Sequence, residues 1–362
     1  MAFDFIKKLR KINFNFFTSD LGVDLGTANV LVYVEGKGVV VREPSVVALD
    51  KNTEKVLKVG ADARNMMGRT PGNVVAMRPL KDGVISDHEM TVELLKALFR
   101  RAVKASVFNP KPRVVICVPS GITEVEERTV INAAVEAGAR RVYLIEEPLA
   151  AALGANLPIE EASGHMVIDV GGGTTDIAVL TLNGVANSSS VEAAGDAFDE
   201  AIARHVRRKY GVVIGQVTAE EIKIQIGCVW PRPEDVSMIV KGRDAKTGLP
   251  RQIELFSSEI FEVLRRPARM ITDEVLHVLE ETSPELVGDI AENGITLTGG
   301  GSQIWGHGPA DHRPDRHPLH HGRRPGFLRG LRLRQGHRLD QRHHPRGTHQ
   351  SGEKARHAGV IP

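Results

Sequence analysis

Apolar residues along this chain fall into two kinds of stretch. Short unbroken runs bounded by turn residues predict strands: 21–23 and 30–32, 39–41, 45–49, 113–119, 142–145, 166–168 and 177–180. Longer stretches with apolar residues three and four apart predict helices: 91–105, 123–138, 149–154, 195–210, 218–226 and 259–279, the last interrupted at Pro267. Thr123 with Glu126 three residues on is a capping box at one helix start. Pro148 suits the first turn of another. Residues 50–80 and 231–256 read as turns and short strands. Strands alternating with helices give an α/β fold.

The chemistry concentrates in two of the turns. Asp169–Asp176 reads D-V-G-G-G-T-T-D between Met166-Val167-Ile168 and Ile177-Ala178-Val179-Leu180. That is a strand, a glycine-rich hairpin turn and a second strand. Gly171, Gly172 and Gly173 let backbone N–H groups crowd round an anion, and Thr174 and Thr175 add hydroxyls. Asp169 supplies a carboxylate able to hold a hydrated Mg²⁺ beside phosphates. The same device recurs as Asp24-Leu25-Gly26-Thr27-Ala28-Asn29, also between apolar runs. Two such hairpins, one per half of the chain, point to two related lobes clamping one nucleotide. Gly195 and Asp196 open a helix where close approach to phosphate or sugar is possible.

These hairpins resemble those of the actin, Hsp70 and sugar-kinase superfamily, and the closer similarity is to the MreB family of bacterial actin homologues. The resemblance is carried by V-D-L-G-T-A-N (23–29), R-E-P-S-V-V-A (42–48), G-R-T-P-G-N (68–73), R-P-L-K-D-G-V-I (78–85), L-I-E-E-P-L-A-A-A-L-G (144–154), D-V-G-G-G-T-T-D (169–176) and L-T-G-G-G (297–301). It implies a two-lobed actin-like ATPase fold of two ribonuclease H-like domains, at 20–158 and 159–301. Each would carry a small outer subdomain, at about 48–80 and 197–258. It further implies ATP with Mg²⁺ in the cleft, Asp24 and Asp169 holding the metal through water, and Gly299, Gly300 and Gly301 beside the adenosine. Glu220 and Lys223 would meet ribose or base, the alternative being a solvated ion pair on one helix face. Glu146 would orient the attacking water, and as a helix N-terminal carboxylate it would also be favoured by the dipole. The family role is a weak ATPase coupled to filament assembly, guiding wall synthesis through membrane proteins of the elongation machinery to maintain rod shape. A sugar or acid kinase is the rival within the superfamily, but no substrate-binding insertion is visible. An Hsp70-type chaperone would need a long peptide-binding domain that this length excludes.

Composition adds a membrane and a compartment. With 362 residues, 41% of them hydrophobic and 25% charged, the chain can build two cores. Two cysteines suggest neither a disulfide framework nor a metal site, and Cys117 reads as a small core residue. That cysteine usage leads to the expectation of a cytoplasmic location, at the inner face of the membrane, and no run approaches a spanning helix. Residues 1–19 hold the reason for the membrane. Phe3, Phe5, Ile6, Leu9, Ile12 and Phe16 interleave with Lys7, Lys8, Arg10 and Lys11. Five of the chain's 11 Phe lie in the first 17 residues. This predicts an amphipathic helix for an anionic membrane surface, against the alternative of a helix packed on the protein itself. In the family the loop carrying Val107 and Phe108 can add a second apolar contact; a loop tucked against its own helix is the alternative.

The net charge of +2 hides a basic tail. Residues 302–362 carry 12 Lys/Arg against 4 Asp/Glu, with 10 of the 14 His, 9 Gly and 6 Pro, and no periodicity. A nucleic-acid arm or a metal tail lacks the aromatic interleaving or ligand spacing it needs, so no nucleic-acid partner is expected. A shifted reading frame accounts for the tail better. Synonymous codons for residues 310–318 can be chosen so that reading one base later gives Leu-Ile-Thr-Gly-Arg-Thr-Gly-Ile-Pro. Codons for 321–336 chosen and shifted the same way give Thr-Ala-Glu-Asp-Pro-Val-Ser-Cys-Val-Ala-Phe-Gly-Ser-Gly-Lys-Ala. Both resemble the family's C-terminus, which returns to pack on the first domain, whereas the tail as written has no core-forming pattern. Sequencing the gene across codons 300–312 is expected to reveal a one-base insertion or deletion relative to close relatives; an uninterrupted frame would overturn this reading.

Overall fold

Two β-sheets built to one plan organise the chain, whose computed structural model describes residues 20–103 and 111–304. The N-terminal segment with Phe3, Phe5, Ile6, Leu9, Ile12 and Phe16, the pair Val107 and Phe108, and the tail beyond Ile304 lie outside the described residues. In chain order, the first half contains β1 (Leu21–Leu25), β2 (Asn29–Val34), β3 (Gly38–Pro44), β4 (Val47–Asp50), β5 (Lys55–Val59), α1 (Ala61–Arg64), β6 (Val74–Met77), β7 (Leu80–Lys81), β8 (Val84–Ile85), α2 (His88–Ala102), β9 (Arg113–Val118), α3 (Glu124–Glu136), β10 (Arg141–Glu146) and α4 (Glu147–Gly154). The second half contains β11 (His165–Val170), β12 (Thr175–Thr181), β13 (Gly184–Val191), α5 (Gly195–Tyr210), β14 (Val212–Val213), α6 (Gln216–Ile226), β15 (Ser237–Asp244), β16 (Pro250–Phe256), α7 (Ser257–Glu280), α8 (Pro284–Asn293) and β17 (Ile295–Thr298).

The first large sheet runs β10-β9-β1-β2-β3 and the second β13-β12-β11-β17. In each, an antiparallel three-strand meander (β1-β2-β3, β11-β12-β13) is extended by parallel pairing on its first strand, by β9 or by β17. A small antiparallel sheet accompanies each half: β5-β4-β6 in the first and β14-β15-β16 in the second.

Strand alternation sorts the residues. Leu21, Val23 and Leu25 of β1 enter a core with Leu94, Leu95 and Leu98 of α2 and Val130 and Ala133 of α3. Met166, Ile168 and Val170 of β11 enter a second core with Phe198 and Ile202 of α5, Ile222 of α6 and Leu264 and Ile271 of α7. A third cluster joins the halves: Leu149 and Ala152 of α4 pack on Val167, Ala178 and Leu180, with Val115 and Cys117 from the first sheet against them. The remaining faces of β1 and β11, which carry Asp24 and Asp169, therefore turn towards this junction.

Helix signals hold closely. Thr123 caps α3 as expected: its Oγ1 accepts from Glu126 N at 3.4 Å, and Glu126 Oε2 accepts from Thr123 N at 2.9 Å. The expected break at Pro267 does not occur, since α7 runs unbroken from Ser257 to Glu280 with Pro267 inside. A proline inside a helix costs about 3 kcal/mol. Burying Ile260, Leu264, Ile271, Val275 and Val278 along one stripe of the same helix returns about 1.5–3 kcal/mol each and outweighs it. Amide hydrogen exchange should therefore protect the segments either side of Pro267 as one unit; rapid exchange confined to residues 268–271 would contradict a continuous helix.

Candidate functional site

The two glycine-rich hairpins meet. The β1–β2 turn and the β11–β12 turn come so close that a Cβ built on Gly172 would lie 2.7 Å from Ala28 Cβ. One built on Gly173 would lie 2.9 Å from Thr27 Oγ1 and 2.8 Å from Asp82 Cα. Glycine is thus required at 172 and 173 by contact between the lobes, besides any ligand. Within the second turn, Gly171 N donates to Thr174 O at 2.9 Å. Ser45 supports the first turn from β3's end, its Oγ donating to Gly26 O at 2.5 Å and its N to Ala28 O at 3.0 Å.

A third turn joins them. Asp82 and Gly83, both at positive φ, form the two-residue connection between β7 and β8. Gly83 N donates to Thr27 Oγ1 at 2.9 Å, and Pro119 and Thr174 crowd the same glycine. The D-G pair lay inside the R-P-L-K-D-G-V-I segment, and its hairpin chemistry was readable; its position between the other two turns was not.

Asp24 and Asp169 share one electrostatic environment. Burial pushes the Asp24 carboxyl up to about 6. Burial, then the charges of Asp24 and Asp176, push Asp169 up to about 7. Burial also raises Glu147 well above the usual range, with Asp176, Asp24 and Asp169 adding to it. Cys117, beside them, is raised by burial and by the same carboxylates, as an inert thiol would be. Such a set of acid oxygens, costly when ionised together, suits a divalent cation held through water. Among the described residues, no three or more His, Cys, Asp or Glu are grouped to ligate a metal directly.

Glu146 stands at the N-cap of α4 without capping it. Its Oε2 accepts from Ser120 Oγ at 3.1 Å, while Ser120 N donates to buried Asp176 Oδ1 at 3.0 Å. One serine in the turn after β9 thus orients two carboxylates from different lobes. Burial raises Asp176, and its hydrogen bond from Ser120 opposes this. Neither Ser120 nor Glu147 was marked by the sequence, because nothing in P-S-G or E-E-P says what lies opposite.

The helix start at Gly195 has a different job from the one its sequence suggested. Gly195 N and Asp196 N donate to the carbonyls of Gly171 and Gly172 at 3.2 and 2.7 Å, so they hold the phosphate-type turn rather than stand open. A Cβ on Gly195 would lie 3.2 Å from Lys223 Nζ. Lys223 Nζ donates to Gly195 O and to Asp199 Oδ2, both at 2.9 Å. Asp199 is pushed up to about 6 by burial, with Lys223 opposing. Glu220 pairs with Arg64 Nη2 at 2.6 Å, so Glu220 and Lys223 take separate partners. Gly299, at positive φ, and Gly301 pack on Val170 at the end of β11, and Gly299 also faces Asp169. Gly301 and Ser302 then line an apolar pocket with Val170, Phe198, Val229, Ala268, Ile271 and Ile304. Among the described residues, Gly300 meets nothing within 4 Å of its Cβ position. Thr27 and Thr174 are buried, and Asn29 is exposed at the start of β2.

Two sheets of one plan, with paired acidic hairpins between them, define an actin-like nucleotide-binding fold. The family profile "MreB/Mbl protein" matches residues 18–308, and the chain belongs to that family. It is 51% identical over 290 residues to the cell shape-determining protein Mbl of Bacillus cereus, covering 80% of this chain and 87% of that one. Among solved structures it resembles MreB 5 of Spiroplasma citri bound to AMPPNP, with 43% identity, a TM-score of 0.75, and coverage of 80% and 86% of the two chains. A MamK double helical filament shares the fold at 24% identity and TM-score 0.65, covering 79% of this chain and 87% of that one.

The buried carboxylates set a pH dependence. Raised in the folded state above the usual 3.8, Asp24 and Asp169 bind protons that the unfolded chain has released. Their effect is therefore a loss of stability as pH rises from about 4 to about 7, complete above that. Asp169→Asn should raise the melting temperature of the nucleotide-free protein at pH 8 by a few degrees, corresponding to about 1–3 kcal/mol, and change it little at pH 4.5. Equal shifts at both pH values would contradict the assignment.

Proposed function

We propose that this chain is an ATP-binding, membrane-associated cytoskeletal protein that assembles with copies of itself and directs cell-wall synthesis to maintain rod shape. The observation that carries the reading is the meeting of the two acidic hairpins, with Ala28 against Gly172 and Asp24 within electrostatic reach of Asp169. The AMPPNP in the Spiroplasma relative supports the nucleotide, the name of the Bacillus relative supports the role in shape, and the MamK filament supports self-assembly.

In this reading the lobes are 20–158 and 159–301, with outer subdomains near 48–80 and 197–258. Backbone N–H groups of Gly26, Thr27, Ala28 and Asn29 and of Gly172, Gly173 and Thr174 face the phosphates, Gly171 serving to close its turn. Asp24 and Asp169 would hold Mg²⁺ through water. Mg²⁺, when bound, neutralises phosphate charge and relieves the repulsion between these carboxylates. Glu146, held by Ser120, orients the attacking water. Asp196, Glu220, Lys223 and Gly299–Gly301 border the nucleoside. Residues 1–19 and Val107–Phe108 contact an anionic membrane at the inner cell face, and membrane proteins of the elongation machinery are the partners. The tail from 302 is the product of a frameshift and impairs assembly.

Sedimentation with and without Mg-ATP, beside a coupled assay with a panel of sugars, tests the core of this. Concentration-dependent pelleting with ATP, weaker than that of a chain whose C-terminus is restored to frame, and no sugar phosphorylation are expected, with nucleotide affinity falling at least about tenfold in Asp169→Asn. Sugar phosphorylation, or unchanged affinity in that variant, would overturn it.

A further inference from the structure

Two arginines reach across the cleft from the first half to carboxylates of the second. Arg64 ends the four-residue α1, packed beside the small β5-β4-β6 sheet, and its Nη2 lies 2.6 Å from Glu220 Oε2 on α6. Arg78 follows β6, and its Nη1 lies 2.6 Å from Asp196 Oδ1 at the first turn of α5. The pairs span 156 and 118 residues of sequence, so each joins separately built parts. The Arg78 and Asp196 side chains are largely shielded, 13% and 23% exposed, while Arg64 is 36% and its partner Glu220 18% exposed. Arg78 Nε is buried without a hydrogen-bond partner among the described residues, leaving that guanidinium a further donor at the junction.

Their placement gives them a task. The halves are tied at one side by α4, which packs on both sheets. At the other, the 61–78 segment is held to the first turn of α5 and to the middle of α6 by these two pairs. A body hinged on one side and pinned at two points on the other opens only when the pins release.

We propose that Arg64–Glu220 and Arg78–Asp196 form a two-point latch that holds the lobes closed and sets how fast bound nucleotide leaves. The nucleotide part of this rests on the function proposed above; the closure part does not. Both carboxylates belong to the elements bordering the nucleoside in that reading, so a ligand must pass the latch to escape. Arg64 and Arg78 act here as positioning residues, through lobe closure.

The test uses the full 362-residue chain and two readouts. The first is release of a fluorescent methylanthraniloyl-ADP with Mg²⁺, chased by unlabelled ADP. Arg64→Ala and Arg78→Ala should release it roughly threefold to tenfold faster, the worth of a partly shielded ion pair, while Arg64→Lys and Arg78→Lys stay near the parent rate. The second is the distance between spin labels on Lys55→Cys and Ile224→Cys, both exposed positions, in nucleotide-free protein. The distribution should lengthen and broaden by several ångströms in the alanine variants and recover in the lysine variants. Unchanged distances overturn the latch whatever the nucleotide does. Distances that move in a chain that binds no nucleotide keep the closure and overturn the function proposed above. Moving distances with unchanged release overturn the control of exchange.

Discussion

Placing two carboxylates from different lobes in one poorly hydrated crevice is the condition on which this molecule's organisation depends. Asp24 and Asp169 sit near the ends of β1 and β11, the first strands of matching meanders. The apolar neighbours of each, Val23 and Leu25, Ile168 and Val170, are committed to separate cores. Alternation then leaves the acids no choice of face. Burial of apolar surface, at about 25 cal/mol per Å², drives the acids inward against their own electrostatic preference. The halves cannot relax by separating, because α4 is packed on both sheets. The cost is met locally: Ser120 donates to Asp176 and Glu146, and Asp169, raised to about 7, keeps part of its proton near neutrality.

Much of this was legible along the chain, because the signals were local. The hairpins announce themselves by Asp and Gly between apolar runs, α5 by its Gly195 start and 3.6-residue stripe, and α3 by Thr123 and Glu126. The sequence misled at Pro267 because a local penalty says nothing of the stripe that the whole helix buries. It was silent on Arg64, Arg78 and Ser120 because their partners lie in other elements, and no spacing rule encodes a contact across 118 or 156 residues. Gly195 is an instructive middle case. Its need for a bare backbone was readable, but Lys223 and the carbonyls of Gly171 and Gly172 impose that need.

The resemblance to the Mbl and MreB 5 relatives covers 80% of the chain in each case, and the family match over residues 18–308 takes in both sheets and all three glycine motifs. Membership does not by itself explain the electrostatics, which come from strand register, nor the cross-lobe arginines, which come from how 61–78 lies over α5 and α6.

The contact between Ala28 and Gly172 has a corollary for sequence change at those two sites. With Cβ positions only 2.7 Å apart were Gly172 to gain one, the pair can accommodate a single methyl between them. The jaws are thus matched one way only: the methyl belongs to residue 28, because a methyl at 172 would still lie 3.0 Å from the Ala28 backbone nitrogen even were residue 28 reduced to glycine.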